Sequence, residues 1–258
     1  MKTYVINLAR NKERMQNMER QLGILAVPFE RFDACDGYAL PEDNRHAAEK
    51  ARPLGVWNTP GHIGCLFSHR ALWKKIAEGA EAYACVLEDD IHIARAVAKL
   101  LKCDSNLPKD FDLIRLEWTE NRVLLGKKPL FTEVETGVSL YRLYSSSFGT
   151  AAYIISRTCA RKMMELPENK QRTSDYILFD VKASPADHLV IYQFSPAVVI
   201  QDKCLADQER RLNFSSNLDD NAPPRPRMGI LKALWKGRFS YVLRILRGYR
   251  DLPYLIEN

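Results

Sequence analysis

Nowhere in its 258 residues does the chain hold an apolar run long enough to cross a bilayer, which takes about 20 consecutive apolar residues. The N-terminal stretch Tyr4 to Leu8 is shorter than a signal-peptide core and meets Arg10, Lys12, Glu13 and Arg14 at once, so a cytosolic location is expected. The six cysteines, Cys35, Cys65, Cys85, Cys103, Cys159 and Cys204, form no CxxC pair, and reduced thiols that pack as small hydrophobes are expected. Cys65 and His69 have a spacing that can hold a metal on a helix, but a second ligand pair is missing. Acids are missing from residues 225–250, which carry eight Lys and Arg; taking those eight from the net charge of +6 leaves the rest at −2. The basic character belongs to the tail, and no general nucleic-acid surface is indicated. There is no internal repeat.

What is present centres on Ala84 to His92, where an apolar, strand-like run ends in Glu88, Asp89 and Asp90 before turning apolar again at Ile91 and Ile93. Adjacent carboxylates repel one another and resist burial, so at the end of a buried strand they are tolerated best when a cation balances them. Hard ions such as Mg²⁺ and Mn²⁺ take oxygen ligands from one or two carboxylates plus substrate phosphates, and ligands collect at strand carboxyl ends in open α/β sheets. The triplet therefore reads either as a metal-bridged diphosphate site or as a solvated corner between strand and loop.

Around it, strands and helices alternate. Tyr4 to Ile6 reads as a strand, followed by a helix over about 9–22 with Met15, Met18 and Leu22 on one stripe and Gly23 as its stop. A strand from Phe29 to Phe32, a polar loop over 38–60 and a helix from His62 to Glu78 come next. Ser68 and His69 are neighbours on that helix and point apart, which argues against a nucleophile and base pair. Later strands are read at Asp112 to Leu116, with Glu117 at its end, at Ser139 to Tyr144, Ala151 to Ile155, Val190 to Phe194 and Ala197 to Ile200. A helix is read at Thr158 to Glu165, and Asp175 stands where it can cap another. The order predicts an α/β fold with a mostly parallel sheet of Rossmann type. Residues 205–227, with Pro223, Pro224 and Pro226, read as a mobile linker between a domain over 1–204 and a tail over 228–258.

Several stretches occur together in one order: Tyr4-Val5-Ile6-Asn7-Leu8, Phe32-Asp33-Ala34, Gly64 to His69 with Leu72-Trp73-Lys74, Leu87 to Asp90, Arg115-Leu116-Glu117 and Gly149 to Arg157. In this series the chain resembles glycosyltransferase family 25, the bacterial lipooligosaccharide glycosyltransferases. The resemblance implies a GT-A-like fold, a UDP-sugar donor, galactose transferred with inversion to a saccharide or glycolipid acceptor, and Mn²⁺ or Mg²⁺ at Glu88 and Asp90. It places Asn7, Leu8, Arg14, Ser68, His69, Glu88, Asp89, Gly149 and Thr150 on the donor side. Where a late histidine often completes the metal site, this chain has Gln201-Asp202-Lys203-Cys204, so Asp202 or water takes that role. An inverting transfer needs a general base, and Asp175, then Glu117, are the candidates; an N-cap and an ion pair are their plain structural alternatives. A non-catalytic nucleotide-sugar-binding module, or a metal-dependent phosphatase or nucleotidyltransferase, stays open beside transfer.

In the tail, Leu231, Leu234 and Trp235, then Val242, Ile245, Leu246 and Tyr249, fall at helical spacing among the basic residues. Two basic amphipathic helices are expected there, lying on an anionic membrane surface or packing on the domain or another subunit.

Overall fold

A computed structural model describes residues 1–41, 59–102, 107–166, 173–181, 189–212, 214 and 248–256. Strand β1 (Lys2–Asn7) leads into helix α1 (Lys12–Ile24) and strand β2 (Glu30–Asp33), and β1 and β2 pair in parallel. Met15, Met18 and Leu22 are buried, as their spacing predicts. Gly23 does not stop the helix; it lies inside the last turn, and Ala26, at φ 50°, reverses the chain while Val27 N–H donates to Leu22 O.

Helix α2 (Pro60–Glu78) begins at Thr59, whose side chain accepts from the amide of His62. It feeds β3 (Tyr83–Glu88), after which come β4 (Ile91–Ile93), α3 (Ala96–Lys102), β5 (Leu113–Arg115), β6 (Phe131–Thr132) and β7 (Ser139–Arg142). The remaining elements are β8 (Ala152–Ser156), α4 (Arg157–Met164), α5 (Ser174–Phe179), β9 (Ile191–Ser195) and β10 (Val199–Gln201). Among the described residues the main sheet has the order β2-β1-β3-β8-β5-β9-β7-β6. Its pairings set β7 and β8 against the common direction of the other strands, so the α/β expectation is met in a mostly parallel sheet with two reversed strands.

Each face of the sheet carries its own core. Val5, Cys85, Leu87 and Ile154 pack with Met15, Met18 and Leu22 on the α1 side. Tyr4, Ile6, Ala84, Val86, Tyr153 and Ile155 pack with Leu66, Leu72, Trp73 and Ile76 on the α2 side. Strand side chains alternate between faces, so the same parity decides where the residues that follow each strand must point.

The sequence gives no strand signal for β4, yet it pairs antiparallel with β10 in a small second sheet. This pairing brings Asp202 beside the triplet, with its amide donating to Asp90 O at 2.8 Å. The linker reading fails over 205–212. Leu205 is buried, Arg211 Nε donates to Leu205 O at 2.7 Å and Leu212 N–H to Asp202 Oδ1 at 2.7 Å, so the domain continues through 212.

Residues 225–247 lie outside the described residues, and the tail helices with them. Residues 248–256 are extended rather than helical. Arg250 bridges Val123, Tyr254 bridges Ala197, Leu252 is buried, and Trp118 Nε1 donates to Leu252 O at 2.6 Å. No described helix is long and apolar enough to cross a membrane.

Candidate active site

Strand parity separates the triplet. Glu88 follows Ala84 and Val86 onto the α2 face, where Oε1 accepts from His69 Nε2 at 3.1 Å and from Thr150 Oγ1 at 3.0 Å. Asp89 follows Cys85 and Leu87 onto the α1 face and is bound by Arg14 Nη1 at 2.9 Å and Asn7 Nδ2 at 2.6 Å. Asp90 keeps Arg14 at 3.9 Å from one oxygen, while Oδ1 is buried with no hydrogen-bond partner among the described residues.

These environments set the charges. Burial alone would raise the Glu88 carboxyl, but the His69 and Thr150 hydrogen bonds, with Lys203 nearby, hold it below its ordinary value. Burial raises Asp89 despite Arg14. Burial, then the charge of Glu88, pushes Asp90 up to about 7. A buried carboxylate with an orphaned oxygen beside an ionised neighbour is the donor set a hard divalent ion fits. Glu88 and Asp90 would hold such an ion. Asp202 is differently engaged: Oδ1 takes His92 Nε2 at 2.7 Å and the Leu212 amide, and the residue lines neither cleft described below.

Glu88 stands where two clefts meet. The first is lined by Leu8, Arg10, Asn11, Arg14, Asp36, Tyr38, Ser68, His69 and the triplet. The second, about 470 Å³, is lined by Glu117, Trp118, Phe148, Gly149, Thr150, Asp175, Tyr176 and Lys203. Donor-side expectations thus divide. Leu8, Arg14, Ser68, His69, Glu88 and Asp89 do share the first cleft, whereas Gly149 and Thr150 open on the second. Asn7 is held by Arg31, Asn11 O and Asp89. Ser68 Oγ donates to Gly64 O at 2.6 Å and accepts from Cys35 N at 2.8 Å, which ties α2 to the loop after β2.

In the second cleft, Glu117 is buried, with Oε2 against Arg115 Nη2 at 3.3 Å and the Ala151 amide at 3.0 Å. Burial pushes its carboxyl up to about 8 against the pull of Arg115. Gly149, at φ +103°, leaves this carboxylate its room, since a Cβ there would stand 2.6 Å from Glu117 Oε1. Asp175 lies at the start of α5, where Oδ1 accepts from Tyr176 N at 2.9 Å and Oδ2 from Gly149 N at 3.4 Å.

Sequence reasoning missed Arg115. Fully buried, it donates to the carbonyls of Ser147, Phe148 and Gly149 at 2.9, 2.6 and 3.1 Å and stacks on Phe179. An arginine inside the apolar strand run Leu113 to Leu116 was the available signal, because a charge there needs built partners. Lys203, at the late strand end where the motif pattern points to a histidine, lines the second cleft within electrostatic reach of Glu88 and Asp90.

Comparison with known proteins agrees with the motif order. The chain is 29% identical over 219 residues to lacto-N-neotetraose biosynthesis glycosyltransferase LgtE of Neisseria meningitidis serogroup B, covering 78% of this chain and 74% of that protein. It is 28% identical over 215 residues to the LgtB glycosyltransferase of N. meningitidis serogroup A, with 78% and 75% covered. Lipooligosaccharide biosynthesis protein lex-1 of Haemophilus influenzae is 29% identical over 201 residues, with 73% and 63% covered. A crystal structure of an active-site mutant of LgtC is similar at a TM-score of 0.37 and 12% identity over 78% of this chain and 86% of that one, and the fold described above rests on strand order alone. Residues 1–178, which carry the two clefts as far as α5, match the model of glycosyltransferase family 25 (LPS biosynthesis protein), and the chain belongs to that family.

Proposed function

We propose that the protein transfers a hexose, galactose from UDP-galactose, with inversion to a saccharide acceptor of a lipooligosaccharide. The observation that carries this reading is the junction at Glu88, one cleft holding the acidic triplet with Arg10 and Arg14 and the other holding Glu117 and Asp175. A donor whose diphosphate lies in the first cleft has its sugar carbon directed at the second.

Arg14 serves that geometry by neutralising Asp89 at the wall of the first cleft, which keeps the triplet together. His69 fixes Glu88. A carboxylate only accepts, so Nε2 carries the proton, and Tyr153 OH, which takes the indole N–H of Trp73 at 2.8 Å, holds Nδ1 at 2.8 Å. Mn²⁺ or Mg²⁺, when bound, would supply charge stabilisation for the departing diphosphate. Asp175 is the favoured base, since its Oδ2 makes only a long hydrogen bond, while Glu117 is locked beneath the cleft floor by Arg115 and Ala151. In the step itself the acceptor oxygen attacks the sugar carbon from the face opposite UDP, its proton passing to Asp175 as the bond to UDP breaks.

The basic residues of 225–247 support a peripheral position at the cytoplasmic face of an anionic membrane, where a lipid-linked acceptor is met. The test is incubation with a panel of UDP-sugars and Mn²⁺, with and without a lipooligosaccharide-type acceptor, and assignment of the product linkage by NMR. An acceptor-dependent β-linked hexose is the expected product. Hydrolysis indifferent to acceptor, nucleotidyl transfer, or binding without turnover would each sink the reading.

A further inference from the structure

Between the two clefts the Sγ of Cys65, Nε2 of His69 and Oε1 of Glu88 converge, and one ligand atom from each lies within 4.8 Å of the others. Cys65 and His69 are one helical turn apart on α2 and so share a face; the parity of β3 brings Glu88 to the same point. The hydroxyls of Ser174 and Thr150 close a ring of polar atoms, with Cys65 Sγ to Ser174 Oγ at 3.6 Å, Ser174 Oγ to Thr150 Oγ1 at 3.2 Å and Thr150 Oγ1 to Glu88 Oε1 at 3.0 Å. The set is one sulfur, one imidazole nitrogen and one carboxylate oxygen. That is the chemistry of a borderline ion such as Zn²⁺ and not of Mn²⁺ or Mg²⁺, which take oxygen.

We propose that Cys65, His69 and Glu88 form a second, thiophilic divalent-cation site, and that zinc bound there inhibits transfer. Ligand atoms around tetrahedral zinc stand roughly 3.3–3.8 Å apart at its usual bond lengths, so closing the triad needs side-chain shifts of about an ångström. His69 is oriented from behind: Tyr153 O can accept from Nδ1 as well as from Trp73, so the imidazole proton can move to Nδ1 and free Nε2 for the metal, the Tyr153 O–H giving up Nδ1 as its acceptor. Burial pushes the Cys65 thiol well up, so the resting group is a thiol. When the S–Zn bond forms the S–H bond breaks, and one proton leaves to solvent. Occupancy draws Glu88 away from the diphosphate side. The inhibition therefore rests on the function proposed above, while the site itself does not.

The experiment is titration of chelator-treated full-length protein with Co²⁺, reading the near-ultraviolet thiolate-to-cobalt absorption. One equivalent should bind with that band, and Zn²⁺ should displace it. Cys65→Ser should abolish the band and His69→Gln should weaken Co²⁺ binding at least tenfold. Asp90→Asn should leave the band intact while losing Mn²⁺-dependent UDP binding, which separates this site from the donor site. Independently of any variant, Zn²⁺ should slow alkylation of Cys65 in the wild-type protein at least tenfold, read by peptide mass spectrometry. A missing band at one equivalent, a band that survives Cys65→Ser, or alkylation of Cys65 indifferent to Zn²⁺ overturns the proposal. If Zn²⁺ binds and protects Cys65 yet turnover is unaffected, the inhibitory role is overturned and the site stands.

Discussion

Glu88 and Asp89, consecutive in the chain, face opposite sides of the central sheet, the first bound to His69 and the second to Arg14. The division lets two acids stand side by side at a strand end because each has its own hydrogen-bonded partner on its own face.

Arg14 and Asp89 are both almost fully buried, so removing either one strips the other of its nearest opposite charge. Arg14→Met should cost about 3–5 kcal/mol by urea denaturation. The double variant Arg14→Met with Asp89→Asn should recover a large part of that loss. A pair that merely decorated the surface would cost under about 1 kcal/mol and show no such recovery.

The pH dependence of the metal-free protein follows from Asp90 and Glu117. Their carboxyls are raised from 3.8 to about 7 and from 4.5 to about 8, so over that window the folded state binds more protons than the unfolded one. Their contribution is full below the unfolded values and is lost as pH rises through 7 and then 8. Chelator-treated protein should accordingly lose stability between about pH 5 and pH 8, and Asp90→Asn or Glu117→Gln should flatten the decline. Melting curves across that range decide it, and an increase in stability with pH unaffected by either variant contradicts the assignment.

Asp175→Asn should lower kcat by about 100-fold or more, the scale of a lost general base, with UDP binding near wild type. Glu117→Gln should act chiefly on the order of the 147–151 segment. Retained kcat in the first variant, with loss confined to the second, would transfer the role to Glu117.

Most of the fold was legible because burial imposes period two on strands and a stripe on helices. Tyr4 to Ile6, Ala151 to Ile155 and the Met15-Met18-Leu22 stripe are where that patterning places them. Glu88 and Asp90 stand out as candidates because three acids after an apolar strand are costly. What could not be read depends on contacts distant in sequence. The pairing of three-residue β4 with β10 fixes Asp202, and the three carbonyls that hold Arg115, those of Ser147, Phe148 and Gly149, lie over thirty residues away. Gly23 misled because a helix can end on a left-handed Ala26 when Val27 finds Leu22 O.

Neutralising Lys232, Lys236, Arg244 and Arg247 together should abolish sedimentation with anionic vesicles at low salt and leave the melting transition unchanged. Leu252→Ala should do the opposite, costing about 2–5 kcal/mol as a buried leucine while vesicle binding persists. Truncation at 225 would confuse the two, since it removes Leu252 together with the basic residues. Vesicle binding that survives neutralisation rules out the electrostatic attachment.

Phe214 lies under the guanidinium of Arg14, 5.4 Å from it, at the rim of the first cleft, and Leu252 meets Trp118 at the rim of the second. The described chain thus stops beside the first cleft at Phe214 and resumes at 248–256, where Leu252 lies beside the second. A segment joined to the domain at one point would leave it free to swivel in every direction, whereas two joining points leave rotation only about the line between them. Whatever held 225–247 would thus also restrict which side of the domain faces it, because both joining points, Phe214 and Leu252, would have to lie toward that side.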